Sequence, residues 1–165
     1  MTDTRCDKIR RQSCRAALLA AALMSASLPA LSQMPAFPGA VGYGKNAEGW
    51  RGGEIFPVTS LADTGPGTLR QCAANASRPR VCVFRVSGTI EVENPIMVGS
   101  NLYIAGQTAP GEGVQLRLKG SNQTPLVVKN VDNVLIRFLK LRPGTSPGKS
   151  ANIDAVTIEG SRHVY

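Results

Sequence analysis

The sequence predicts an all-β chain wound as a parallel β-helix, with one short α-helix capping its first coil. Three observations carry that prediction. Runs of β-branched and aliphatic residues, Leu126-Val127-Val128, Val134-Leu135-Ile136 and Ala155-Val156-Thr157-Ile158, are divided by Asn, Gly, Asp and Pro, the composition of strands broken by turns. The runs recur: Ile96-Met97-Val98 lies 30 residues before Leu126-Val127-Val128, and Val156-Thr157-Ile158 lies 30 after, while Leu102, Val134 and Val164 are spaced by 32 and 30. Finally, no helical pattern and no Asn-Gly or Asp-Gly hairpin signal lies between these strands, and parallel strands must be joined by a crossover or a coil. A period near 30 residues favours a solenoid, in which each repeat buries its apolar face against its neighbours, over a β-sandwich.

The elements follow in order. Residues 1–32 have the form of an export signal: a basic stretch ending at Arg15, the apolar run Ala16 to Met24, and Ala30-Leu31-Ser32 as a small-residue cleavage site. The run is too short to span a bilayer, and the pattern fits ordinary secretion. The mature protein is expected to be soluble, secreted or periplasmic, and free of the membrane once the signal is cleaved. Residues 33–80 form an arm and a helical cap. Six glycines and two prolines between Met34 and Gly53 predict a looping arm. Glu54 to Leu61 reads as a strand at a sheet edge, because Pro57 cannot donate to a ladder. Thr68 is a good N-cap for a helix over 69–76 that places Leu69, Cys72, Ala73 and Ala76 on one face, and Arg78-Pro79 ends it. Such a helix shields the first coil, which has no neighbour on one side.

Residues 81–165 supply about three coils. Val81–Val86 is the clearest strand; Thr89–Val92, Ile96–Val98, Leu102–Ala105, Val114–Leu118, Leu126–Val128, Val134–Leu139 and Ala155–Ile158 follow at short intervals.

Composition narrows the function. Nineteen Lys and Arg face 11 acids, a formal charge of +8, and without residues 1–32 the balance is 14 against 9. A modest positive excess suits an acidic polymer as partner, and equally a solvated surface. Eight aromatic residues with no basic interleaving argue against nucleic-acid binding. Of the four cysteines, Cys6 and Cys14 lie in the signal, leaving Cys72 and Cys82. An even count in an exported chain suggests a disulfide, and closing a loop of about ten residues stabilises by roughly 2–3 kcal/mol.

Several segments together resemble the pectate lyase family of polysaccharide lyases. They are Phe37-Pro38-Gly39-Ala40 with Gly42-Tyr43-Gly44, Arg51-Gly52-Gly53, Val58-Thr59-Ser60-Leu61 and Gly65-Pro66-Gly67-Thr68-Leu69-Arg70. Phe84-Arg85-Val86-Ser87-Gly88-Thr89-Ile90 and Ile104-Ala105-Gly106-Gln107-Thr108-Ala109-Pro110-Gly111 come next. Val134-Leu135-Ile136-Arg137-Phe138, Leu141-Arg142-Pro143-Gly144 and Asp154-Ala155-Val156 complete the series. Trp50 stands where the pattern has another Gly.

The resemblance implies a right-handed parallel β-helix and calcium-dependent β-elimination on polygalacturonate, the backbone of pectin, by a monomeric enzyme. Ca²⁺ takes hard oxygen ligands and can join enzyme carboxylates to a uronate carboxylate, easing removal of the neighbouring proton. By the same resemblance Asp154 is a calcium ligand, with Asn152 beside it where the family often has an acid. Arg137 and Arg142 match family positions and could hold substrate carboxylates. The family's further ligands and its arginine base match positions beyond Tyr165, so no residue here is assigned a catalytic role, and the chain alone is expected to be inactive, as the N-terminal part of such an enzyme. His163 reads as a strand histidine with a satisfied partner. Two other readings stay open: a non-catalytic β-helix that binds polysaccharide, and a glycoside hydrolase on the same fold drawing on Glu91, Glu93 or Asp132.

Overall fold

A computed structural model describes residues 34–74, 78–119, 123–143 and 153–165. The proposed signal, Ala76 of the cap helix and Asn152 lie outside the described residues. Eleven strands and one α-helix follow in order: β1 (Glu54–Val58), α1 (Leu69–Ala74), β2 (Arg80–Phe84), β3 (Gly88–Val92), β4 (Ile96–Met97), β5 (Leu102–Ala105), β6 (Val114–Leu118), β7 (Leu126–Lys129), β8 (Asp132–Arg137), β9 (Leu139–Arg142), β10 (Val156–Glu159) and β11 (Arg162–Val164). They form three parallel sheets: sheet A in the order β1-β2-β5-β8-β11, sheet B in the order β3-β6-β9, and sheet C in the order β4-β7-β10. The chain visits A, B and C in turn, so β2 to β10 make three complete coils. The fold is the expected parallel β-helix.

The register shows why the period was visible in the sequence. Ile96 and Val156 both pair with Leu126, and Leu102 and Val164 both pair with Val134. Strands alternate inward and outward residues, so an apolar residue must recur at each inward position. Ile90, Leu116 and Leu141 make one such column and Ile96, Leu126 and Val156 another; the first two members of each are at most 1% exposed. Burying one Leu or Ile stabilises by about 1.5–3 kcal/mol, and the columns together form one continuous core.

Sheet B departs from the 30-residue period. Val114 pairs with Gly88 and with Leu139, spacings of 26 and 25. The difference is made up by longer segments between β6 and β7 and between β9 and β10. One sequence expectation is corrected here. Val134–Leu139, read as one strand, is two: β8 ends at Arg137 in sheet A, Phe138 turns the chain at φ 55°, and β9 begins at Leu139 in sheet B. An unbroken apolar run hides a corner when the turning residue is itself apolar.

The cap is built as its residues demand. Thr68 Oγ1 accepts from Gln71 N at 3.2 Å and donates to Gly65 O at 2.9 Å, satisfying one of the free donors of the first turn. Leu69, Cys72 and Ala73 are buried against the first coil. Cys72 and Cys82 form a disulfide with Cα atoms 6.0 Å apart, which ties α1 to β2. Arg80, only 7% exposed, donates through Nη1 to the carbonyls of Gln71 and Cys72 at 3.4 Å, a cationic finish to the helix end.

The arm, residues 34–53, has turns and no regular element, and it crosses the outer face of sheet A. Ala36, Ala47 and Leu135 form a small second core with Phe37, Trp50 and Tyr103. Trp50 lies 5.0 Å from the Tyr103 ring and Phe37 4.8 Å from that of Tyr165. Gly44 is required by the close approach: a Cβ there would sit 2.1 Å from the Val164 carbonyl oxygen.

Candidate functional site

Sheet B presents a row of outward cations. Its inward residues, Ile90, Val92, Val114, Leu116 and Leu118, are buried, so Thr89, Glu91, Gln115, Arg117, Lys140 and Arg142 point out. The register stacks them in two rows: Thr89, Gln115 and Lys140 in one, Glu91, Arg117 and Arg142 in the other. Neighbouring strands lie about 4.8 Å apart. Arg117 and Arg142 are therefore held side by side, an arrangement that costs energy unless an anion intervenes. Glu91 pairs with Arg117 at 3.3 Å, an exposed contact worth at most about 1 kcal/mol. Lys140 donates to the Glu112 carbonyl at 2.7 Å. The face carries three cations against one acid.

Arg142 closes β9 on this face, and it is exposed. Asp154 is exposed too, two residues before β10. Residues 144–152, with Asn152 among them, lie outside the described residues. Arg137 is placed elsewhere: it ends β8 in sheet A, and its guanidinium lies 3.8 Å from the centroid of the Phe37 ring. That contact fastens the arm to the third coil. The two arginines paired in the sequence reading are thus on different sheets.

The other candidates settle into structural positions. His163 Nδ1 is 2.7 Å from Asp132 Oδ1, and the same oxygen accepts from Asn133 N at 2.8 Å. His163 adopts φ 49° and stacks in register on Asn133 and Asn101, at 58° and 56°. The histidine therefore completes a left-handed corner otherwise made by asparagines, which tolerate that conformation best. Glu91 and Asp132 lie on different sheets, and Glu91 is held by Arg117; as a hydrolase pair they are not brought together. A cavity of about 580 Å³ lies at the start of α1, where Arg70 is already occupied by Asp63 and by the carbonyls of Pro95 and Asn94.

Phe138 was missed by sequence reasoning. It is 65% exposed at the corner between sheets A and B, beside a shallow cavity of about 370 Å³ whose lining includes Gln107, Glu112 and Lys140. The signal that could have found it is the 26- and 25-residue register of sheet B, which marks Leu139 as the first residue of a new strand.

Known proteins share this architecture. No family model matches the chain. It is 38% identical over 131 residues to a probable pectate lyase C of Emericella nidulans, covering 79% of this chain and 29% of that protein. Identity is 41% over 136 residues to the probable pectate lyase C of Aspergillus terreus, covering 82% and 30%. Pectate lyase 1 of Cryptomeria japonica is 35% identical over 107 residues, covering 62% and 26%. Among solved structures, Jun a 1, the major allergen from cedar pollen, superposes with a TM-score of 0.50 at 21% identity, over 76% of this chain and 46% of that one; this likeness concerns the fold. The chain is thus a parallel β-solenoid. Over about four fifths of its length it is similar to proteins named probable pectate lyase C, and it spans about 30% of the length of these curated relatives.

Proposed function

We propose that the chain is part of a secreted, monomeric pectate lyase-like enzyme that cleaves polygalacturonate by β-elimination, with calcium as cofactor and Asp154 among its ligands. The observation that supports this reading most is the identity of 36–41% to proteins named probable pectate lyase C, on a solenoid whose sheet B carries outward cations. An anionic polymer drawn to that face meets Arg117, Lys140 and Arg142, which stabilise its carboxylates by charge. Among the described residues, no helix is long and apolar enough to cross a membrane.

The donor set of the described residues does not by itself fit calcium. The ion takes six to eight oxygens, Asp154 offers one exposed carboxylate, and no group of three or more His, Cys, Asp or Glu lies together among the described residues. The remaining donors would come from beyond the described residues.

Affinity electrophoresis tests the reading. The full chain is run in gels containing polygalacturonate or dextran, with calcium or with a chelator. Retardation specific to polygalacturonate is expected, strengthened by calcium, with the calcium increment lost in Asp154→Asn. Equal retardation with and without calcium would remove Asp154 as a ligand, and migration unaffected by polygalacturonate would remove the substrate class.

A further inference from the structure

The geometry points to a sugar subsite at the corner between sheets A and B, in which the exposed Phe138 ring stacks on a uronate unit and Lys140 and Arg142 hold carboxylates. This subsite takes its ligand class, an acidic polysaccharide, from the reading above.

Phe138 gains little from where it sits. Its φ of 55° lies in the left-handed region, which a bulky side chain rarely enters. Among the described residues the other non-glycine residues there are Asn101, Asn130, Asn133 and His163, three of them the residue type that pays least for that conformation. The ring is 65% exposed, so burial does not offset the strain. Strain retained without a packing return concentrates at ligand-binding positions.

The backbone that carries the ring is also held in place. A Cβ on Gly106 would lie 2.2 Å from the Phe138 carbonyl oxygen, so the turn of the preceding coil is pressed against this corner. The Arg137 guanidinium lies 5.1 Å from the Phe138 ring centroid and 3.8 Å from that of Phe37, which backs the ring from the arm side. An aromatic ring carried on a closely packed backbone has only its own side-chain torsions to order on binding.

Charge complements the ring. Lys140 and Arg142 are the next two outward residues of β9, and Arg117 stands in register beside Arg142. Among the described residues no acid pairs with Lys140 or Arg142; the salt bridge on this sheet belongs to Arg117. An aromatic face for the C–H surface of a pyranose and a flanking cation for its carboxylate suit a uronate better than a neutral sugar.

The test again uses the full chain in polygalacturonate gels, now with chelator throughout, alongside thermal melts. Phe138→Asn is expected to raise the melting temperature, because Asn accepts the left-handed corner, and to weaken retention about tenfold. Phe138→Trp should keep retention. The double variant Lys140→Gln/Arg142→Gln should weaken it and flatten its salt dependence. A Phe138→Asn chain retained like the wild type overturns the subsite and leaves the polysaccharide reading intact. A Phe138→Asn chain that melts lower overturns the strain argument. Wild type that ignores polygalacturonate overturns both readings, and loss of the Asp154 effect alone leaves the subsite standing.

Discussion

Replacing Cys72 and Cys82 by Ala removes the covalent tie between the cap and the first coil. The two residues are ten apart in sequence, and both are fully buried in the main core. On the chain-entropy model a loop of this size contributes about 2.7 kcal/mol by restricting the unfolded ensemble. The lost sulfur atoms leave a small cavity that adds about 1 kcal/mol. With an unfolding entropy of about 2.1 cal/mol/K per residue, the loop entropy by itself corresponds to a fall in melting temperature of roughly 10 °C over the solenoid. Circular dichroism melts of the double Ala variant and the wild type measure it directly. The variant keeps the packing of Leu69 and Ala73 and the bonds of Arg70 and Arg80 to backbone carbonyls, so the fall in melting temperature reports the covalent tie and the lost sulfur atoms. A double variant melting within roughly 2 °C of the wild type would refute the claim that the cap is pinned by the disulfide.

Leu116→Ala removes the middle member of the column formed with Ile90 and Leu141; a loss of about 2–5 kcal/mol is expected in urea unfolding, and less than about 1 kcal/mol would mean the coils relax around the gap. Gly44→Ala sets a Cβ against the Val164 carbonyl and should lift the arm at a cost of about 1–3 kcal/mol. Trp50 is the single tryptophan of the chain, so a red shift of its emission reports the release from Tyr103, and an unshifted spectrum would show that the arm yields without detaching.

Much of the fold was legible before any coordinates. A solenoid core repeats one requirement, an apolar residue at the same inward position of every coil, and that requirement is written as the spacing of Ile96, Leu126 and Val156 and of Leu102, Val134 and Val164. The cap was legible for a local reason too: Thr68 and the spacing of Leu69, Cys72 and Ala73 are properties of one short segment. Pro57 marked an edge strand, and β1 is the first strand of sheet A.

What is set by contacts between distant coils was not legible. Phe138 looked like strand because its hydropathy matches its neighbours; only the pairing of Leu139 with Val114 shows that the chain has already turned. Arg137 looked available for a substrate, and it lies over Phe37, one hundred residues earlier. Arg80 carried no signal of its own in the sequence, and it is buried under the last carbonyls of α1. Asp154 was singled out by resemblance alone, since a lone exposed carboxylate before a strand has no periodic signature. Periodicity states which side of a strand must be dry. Which side chain from another coil stands opposite depends on loop lengths, and in sheet B those lengths break the period that revealed the fold.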